Sequence, residues 1–244
     1  MQRTFAAATD TGKRRATNED QAVAIELRGG RVLLAVADGA GGMGGGDVAS
    51  ATTVRAVVEV CERAADGEPG QALREAVETA SAHVREAARE GQHSAMATTL
   101  VAAIVDEKRA WIVSIGDSRA YLHHAGVLRQ LTEDDSWVAD QVRANLLTEE
   151  QARRSPHRNI ITRAIGASDV PAVEPLEVLL AAGDTLLLCS DGLHAVIDDK
   201  DIATLLAADS AEETAAALID AANVAGGPDN IAVALYRAPM ANRR

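Results

Sequence analysis

Asp38 and the glycines behind it carry the first chemical signal in the chain. Residues 32–50 read VLLAVADGAGGMGGGDVAS, so an apolar run ends in a carboxylate and six of the eight residues from 39 to 46 are glycine. A loop so bare of side chains lets its own backbone approach something closely. A P-loop would need Lys and then Ser or Thr after the last glycine, but Gly46 is followed by Asp47 and Val48. Gly39, Gly41 and Gly44 do satisfy the dinucleotide spacing G-x-G-x-x-G, and Glu59 or Glu62 lies downstream where a ribose ligand would stand. Against that reading, Asp38 would set a negative charge beside a pyrophosphate, and the helix expected after the loop leads to another helix instead of a parallel strand. The dinucleotide-dependent oxidoreductase remains as a competing hypothesis that requires NAD or NADP affinity without divalent metal.

A carboxylate beside close-approaching backbone suits a hard cation, whose ligands are carboxylate, carbonyl and water oxygens. The arrangement recurs. TLLLCSDGL places Asp191 and Gly192 after an apolar run, AWIVSIGDSRAY places Asp117 between two, GGPDNIAVAL places Asp229 before one, and RRATNEDQAV places Glu19 and Asp20 before another. Any one of these is ordinary turn chemistry. Five acidic sites at strand edges gather naturally at one end of a stack of sheets. Without metal such a cluster repels itself and its pKa values rise; divalent cations relieve that repulsion.

Extended segments are expected at 4–9, 22–27, 31–37, 98–105, 110–115, 120–124, 127–131, 173–179, 185–189 and 231–236. Helices are expected over 47–65, where Val54, Val57, Val58 and Cys61 share a face, over 70–89, where Leu73, Val77, Ala80 and Val84 do, and over 211–225. The polar stretch 134–154 also reads as helix. Strands fall in hairpins and helices in pairs, which is an α+β pattern with antiparallel sheets and argues for one domain over residues 1–244.

The composition narrows the partners. The chain has 244 residues, 47% of them hydrophobic, a net charge of −12, and two Trp, two Tyr and one Phe as its whole aromatic content. Single-stranded nucleic acid binding usually needs basic grooves and stacking aromatics, so no nucleic acid partner is expected, nor an anionic membrane surface. No stretch is long and apolar enough to span a bilayer, and MQRTFAAATDTGKRR lacks the core and cleavage site of a secretory signal. A cytoplasmic monomer is expected, with Cys61 and Cys189 as buried reduced thiols.

In order and wording the motifs resemble the metal-dependent Ser/Thr protein phosphatases of type 2C, the PPM family, in their bacterial form. The resemblance runs through TDTGKRRATNEDQ, LLAVADGAGGMGGGDVAS, ATTLVAAIV, SIGDSRAYLHHAGVLRQLTEDDS, NIITRAIG, GDTLLLCSDGL and GGPDNIAVAL, over roughly residues 4–237. It implies a four-layer α-β-β-α sandwich of two antiparallel sheets flanked by helices, with a flap at about 144–166. It implies two Mn²⁺ or Mg²⁺ ions and a weaker third. Asp38 matches the bridging ligand, Gly39 the backbone carbonyl ligand, and Asp191 and Asp229 the ligands of one metal. Asp20 and Glu19 act from the other side, partly through water, while Asp117 with Asp191 matches the third site; Asn230 supports the ligands from behind.

Arg15 lies where the family binds phosphate, with Arg14 as its adjacent competitor. A guanidinium can hold two phosphate oxygens at once, which a lysine cannot copy. The implied reaction is attack by a metal-bridging hydroxide on phosphoserine or phosphothreonine, in proteins modified by a Ser/Thr kinase that this enzyme opposes. Flap residues Arg153, Arg154, His157 and Arg158 are candidates for receiving acidic phosphopeptides. Ala40, Met43, Asp47 and Asp135 depart from the usual pattern, and none removes a metal ligand; Ala40 cannot serve as a general acid. His194 lies near the expected cleft. The competing non-enzyme reading is a pseudophosphatase that binds metal and phosphoproteins without cleaving them.

Overall fold

Segments such as LVAAIV and TLLLC have no polar alternation, so both of their faces must be covered. The computed structural model, which describes residues 4–40, 44–91, 96–167, 173–207 and 210–240, supplies that cover in four layers. Gly41, Met43 and His93 lie outside the described residues.

One sheet has the order β1 (Phe5–Asp10), β11 (Ile231–Arg237), β10 (Thr185–Cys189), β7 (Arg119–His124) and β8 (Val127–Gln130). The other runs β2 (Asp20–Glu26), β3 (Val32–Ala40), β5 (Leu100–Val105), β6 (Arg109–Ile115) and β9 (Leu176–Leu179), with the short β4 (Ala97–Thr98) also on β3. The pairings within both sheets are antiparallel. Helices α1 (Gly46–Arg63) and α2 (Pro69–Glu90) cover the second sheet. Helices α5 (Asp191–His194), α6 (Asp199–Leu205) and α7 (Ala211–Val224) cover the first. This is the α-β-β-α sandwich expected from the sequence.

Alternate residues of each central strand serve different layers. Leu100, Ala102 and Ile104 pack under α1 and α2, while Val101, Ala103 and Val105 pack between the sheets. On β11, Ile231, Val233 and Leu235 face the α5–α7 side, while Ala232, Ala234 and Tyr236 face the other sheet. Burial on two faces explains why these antiparallel strands read as unbroken apolar runs.

The stretch 134–154 is a correction. It forms two short helices, α3 (Trp137–Arg143) and α4 (Glu149–Arg153), instead of one long one. Asn145 between them has φ 57°, a left-handed conformation that asparagine tolerates better than most residues. Each helix starts on its own cap: Ser136 Oγ accepts from Ala139 N, and Thr148 and Gln151 form a reciprocal capping box. The strand expected over 173–179 is confined to Leu176–Leu179. Helices α5 and α6 were not expected from the sequence; both are too short to form without the sheet beneath them.

Candidate metal and phosphate site

Register brings the first two carboxylates together. Where β2 pairs with β3, Asp20 lies opposite Asp38. The Asp38 backbone is held on the other side by hydroxyls: its N–H donates to Thr99 Oγ1 at 3.0 Å, and its carbonyl accepts from Thr98 Oγ1 at 2.7 Å. Thr99 Oγ1 in turn lies 2.7 Å from Ser118 Oγ, so the Asp38 strand end is tied to the turn after Asp117. The next residue must be glycine, because a Cβ on Gly39 would collide with the carbonyls of Gly46 and Glu19. The N-terminus of α1 is thereby drawn against the strand end, and Glu19 with it.

Asp191 opens α5 directly after β10. The approach there is equally close, since a Cβ on Gly192 would collide with the carbonyl of Asn230. Asn230 is buried and fully engaged. Its Oδ1 accepts from Glu19 N at 2.8 Å and its Nδ2 donates to the carbonyls of Thr11 at 2.8 Å and Thr17 at 2.9 Å. One side chain thus anchors both ends of the loop that carries Arg15. That guanidinium donates from NH2 to Asp229 Oδ2 at 2.7 Å. Asp117 sits in the β6–β7 turn, and His194 donates from Nε2 to its carbonyl at 3.0 Å.

These elements enclose a cleft of about 270 Å³ lined by Glu19, Asp38, Asp117, Asp191 and Asp229, with Arg15, the backbone of Gly39, and Asn230. Four of the carboxyls in and behind it are pushed above the ordinary range, first by burial and then by one another: Asp38 well above, Asp20 and Asp117 to about 7, and Asp191 to about 6. Glu19 is raised as well, by burial and then by Asp47. Asp20 is only 1% exposed, stands behind Asp38 instead of on the cleft wall, and its Oδ2 has no hydrogen-bond partner among the described residues.

The fit of a cation rests on donor chemistry. The donors are carboxylate and carbonyl oxygens, one buried carboxylate oxygen lacks a partner, and the cluster is short of positive charge. Among the described residues no three His, Cys, Asp or Glu side chains form a ready-made cage. A small octahedral ion does not need one, since it retains several waters and binds through one or two carboxylates. The residues present fit Mg²⁺ or Mn²⁺ in that partly hydrated manner.

The remaining expectations divide. Arg15 lines the cleft, whereas Arg14 is exposed and does not. The flap quartet stands outside the cleft lining: Arg154 pairs with Glu150 at 2.8 Å, Arg153 approaches Asp198 at 3.8 Å, and His157 meets the Trp137 ring edge-on. Of the four, Arg158 is near enough to oppose, in a small way, the upward push that burial and Asp229 give Asp191. His194 is half-buried and pushed down to about 3 by desolvation and by Arg119, so it is a neutral prop for the Asp117 turn. Ala40 lines the cleft and brings no proton.

Sequence reasoning missed Thr98, Thr99 and Ser118, which hold the ligand-bearing backbone, and Asn159 and Ile161, which form the flap side of the cleft. The adjacent hydroxyls of ATTLVAAIV, buried at the head of an apolar strand, were the available signal.

Comparison with known proteins agrees with this geometry. Residues 10–227 match the protein phosphatase 2C family. The serine/threonine phosphatase stp of Listeria monocytogenes is 36% identical over 241 residues, covering 96% of each chain. The crystal structure of the Mycobacterium tuberculosis serine/threonine phosphatase PstP/Ppp superposes with a TM-score of 0.88 at 35% identity, over 97% of this chain and 98% of that one. A structure of the PstP catalytic domain in complex with two manganese ions superposes with a TM-score of 0.84 at 35% identity, over 96% and 97% of the two chains. The chain belongs to the protein phosphatase 2C family.

Proposed function

We propose that this member of the protein phosphatase 2C family is a metal-dependent hydrolase of phosphoserine and phosphothreonine in proteins, opposing a bacterial Ser/Thr kinase that acts on the same substrates. The observation that carries this reading is the cleft itself, in which five carboxylates face the one guanidinium among its lining residues. Asp38, the Gly39 carbonyl, Asp191 and Asp229 would hold Mn²⁺ or Mg²⁺, with Asp20 and Glu19 acting on the other side and Asp117 with Asp191 at a third position. The two manganese ions in the PstP catalytic domain support that assignment. Divalent cations bound there supply Lewis acidity and make a hydroxide nucleophile available near neutral pH.

The chain's own residues do the rest. Arg15, already poised over the cleft on Asp229, turns its fork to two phosphate oxygens and offsets charge as the phosphoryl group transfers. Asn230 fixes the loop from which Arg15 reaches, and Thr98 and Thr99 fix the backbone of Asp38. The one hydroxyl among the lining residues, that of Thr99, is engaged with Asp38 N and Ser118, and the lining carboxylates would be committed to the cations, so no side chain is left to attack phosphorus. Direct hydrolysis without a covalent enzyme intermediate follows. With Ala40 aprotic and His194 outside the lining with its Nε2 engaged on the Asp117 carbonyl, protonation of the leaving alkoxide falls to solvent.

Arg153, Arg154 and Arg158 present positive charge beside the cleft, with His157 among them, on a chain of net charge −12, which favours acidic phosphopeptides. We assign residues 1–244 to one catalytic domain and read the protein as a cytoplasmic monomer. Among the described residues no helix is long and apolar enough to cross a membrane.

The test is hydrolysis of p-nitrophenyl phosphate and of a phosphothreonine peptide with Mn²⁺, with Mg²⁺ and with EDTA, beside Asp191→Ala. Turnover that needs metal and disappears in the variant is the expected result. Folded protein that binds the phosphopeptide but cleaves neither substrate with any metal would replace this reading with the pseudophosphatase.

A further inference from the structure

Asp135 lies between β8 and α3 and joins two parts of the cleft wall that are far apart in sequence. Its Oδ2 accepts from Gly116 N at 3.1 Å, and Arg163 NH1 donates to both of its carboxylate oxygens at 3.1 Å. The backbone repeats the link: Asp135 N donates to Gly116 O at 2.9 Å, and Thr162 N donates to Asp135 O at 2.7 Å. Bridges between Ser136 and Ile161 and between Thr98 and Ile165 continue the seam on either side.

Gly116, with φ +95° and packed against Thr99, precedes Asp117. Asn159 and Ile161, on the other side of the seam, form the flap side of the cleft. Neither Asp135 nor Arg163 lines the cleft. An exposed ion pair would matter little, but these side chains are 17% and 32% exposed and the carboxylate also satisfies a backbone donor. The guanidinium has no second hold there, since Arg163 Nε is buried without a partner among the described residues.

We propose that Asp135 and Arg163 form a clasp that sets the Asn159–Ile161 wall against the Asp117 turn, and so sets the fit of a phosphorylated peptide in the cleft. Both are positioning residues, and the kinetic consequence rests on the phosphatase reading above. A small aryl phosphate needs the metals and Arg15 but little of the flap wall. A peptide needs the wall as well, and a displacement of about 1 Å there is enough to weaken its binding.

The experiment compares Asp135→Asn, Arg163→Gln, their combination and Arg163→Lys with the unaltered protein, all loaded with Mn²⁺. Four quantities are read: KM and kcat for a phosphothreonine peptide, turnover of p-nitrophenyl phosphate, tryptic cleavage at Arg153, Arg154 and Arg158, and the thermal midpoint. Loss of one charge-assisted hydrogen-bonded contact corresponds to about a tenfold rise in KM for the peptide. That rise is expected in each single variant and should not increase further in the double. The kcat for the peptide and turnover of the aryl phosphate should stay within about twofold, since the metal ligands and Arg15 are untouched. Flap cleavage should accelerate without an equal fall in thermal midpoint, and Arg163→Lys should recover most of the peptide KM.

An unchanged peptide KM, an equal loss for both substrates, or additive effects in the double variant would overturn the clasp. If the unaltered protein turns over neither substrate, the phosphatase reading fails instead, and the clasp then stands or falls on the flap cleavage rate alone.

Discussion

Asp117 and Arg119 are two residues apart in one hairpin, yet they belong to clusters of part-buried charge balanced in opposite ways. Arg119 donates from Nε and NH2 to both oxygens of Asp134, at 2.9 and 2.8 Å, and from NH1 to Tyr121 Oη at 2.9 Å; Gln130 Nε2 adds a bond to Asp134 Oδ1 at 3.0 Å. Charge and hydrogen bonds there are complete within the protein. Asp117 faces the cleft, where carboxylates crowd one another, Asp20 Oδ2 has no partner, and Arg15 is half exposed. The matched cluster fixes the shape of the β7–β8 side. The unmatched one is unfavourable by itself and becomes favourable once cations arrive, which is the mark of a site built for a ligand.

The contrast is broken most severely by removing metal. Excess EDTA should take phosphatase activity to background and Mn²⁺ should restore it, while the Arg119 cluster, which has no place for an ion, is unaffected. Activity that persists in EDTA would mean that the cleft carboxylates are structural after all. Next in size, Asp38→Asn should lower kcat by at least about a thousandfold, the scale of losing a principal electrostatic partner of the transition state. In EDTA the same variant should melt at or above the temperature of the unaltered protein, because it relieves a buried repulsion. Thermal melts paired with single-turnover assays read both effects. A strong destabilisation in EDTA would erase the distinction between the two clusters.

Arg119→Met should show the reverse pattern. It strands Asp134 and should cost about 3 kcal/mol of stability, measured by urea unfolding, while kcat per folded molecule remains close to that of the unaltered protein. Arg15→Lys lies between the two: charge is kept but the two-pronged contact is lost, so kcat/KM should fall about tenfold with little change in stability. An unaltered kcat/KM would remove Arg15 from the phosphate-binding role.

How legible this was in the sequence follows from how local each signal is. Asp38, Asp117, Asp191 and Asp229 stand at the ends of apolar runs beside glycine or asparagine, and strands buried on two faces leave unbroken aliphatic segments; both are readable within ten residues or so. Asn230 was readable as a neighbour of Asp229, though its grip on Thr11 and Thr17 was not. The hydroxyl collar was hidden because Thr99 meets Asp38 and Ser118 only after three strands have paired. The long helix expected over 134–154 failed for a similar reason. Its polar composition suits a helix, but Arg119 and Gly116 hold Asp134 and Asp135 outside any helix, and Asn145 turns the chain before α4. Helices α5 and α6 are below the length at which sequence alone nucleates a helix.

The smallest expected effect tests the contrast without altering the protein. In EDTA, Asp117 titrates near 7 and Asp191 near 6, against an ordinary value of 3.8. Between those limits the folded state holds protons that the unfolded chain has released, so this contribution makes stability fall as pH rises through about 4 to 7. His194 runs the other way. Its folded value is about 3 against an ordinary 6.5, so the unfolded chain takes up a proton that the folded one refuses, and this contribution makes stability rise towards about pH 6.5. The slope in EDTA alone therefore mixes two signs. With saturating Mn²⁺ the cation takes the place of the protons on the carboxylates, while the His194 contribution is common to both conditions. The difference between the two melting curves isolates the cleft, and it should widen by a few degrees from about pH 5 to about pH 8, at roughly 2–4 °C per kcal/mol for a chain of this size. Asp117→Asn should narrow the gap and Arg119→Met should leave its pH dependence intact. A difference that stays flat across that range would mean that the carboxylates around the cleft are already balanced within the protein, as Asp134 is by Arg119.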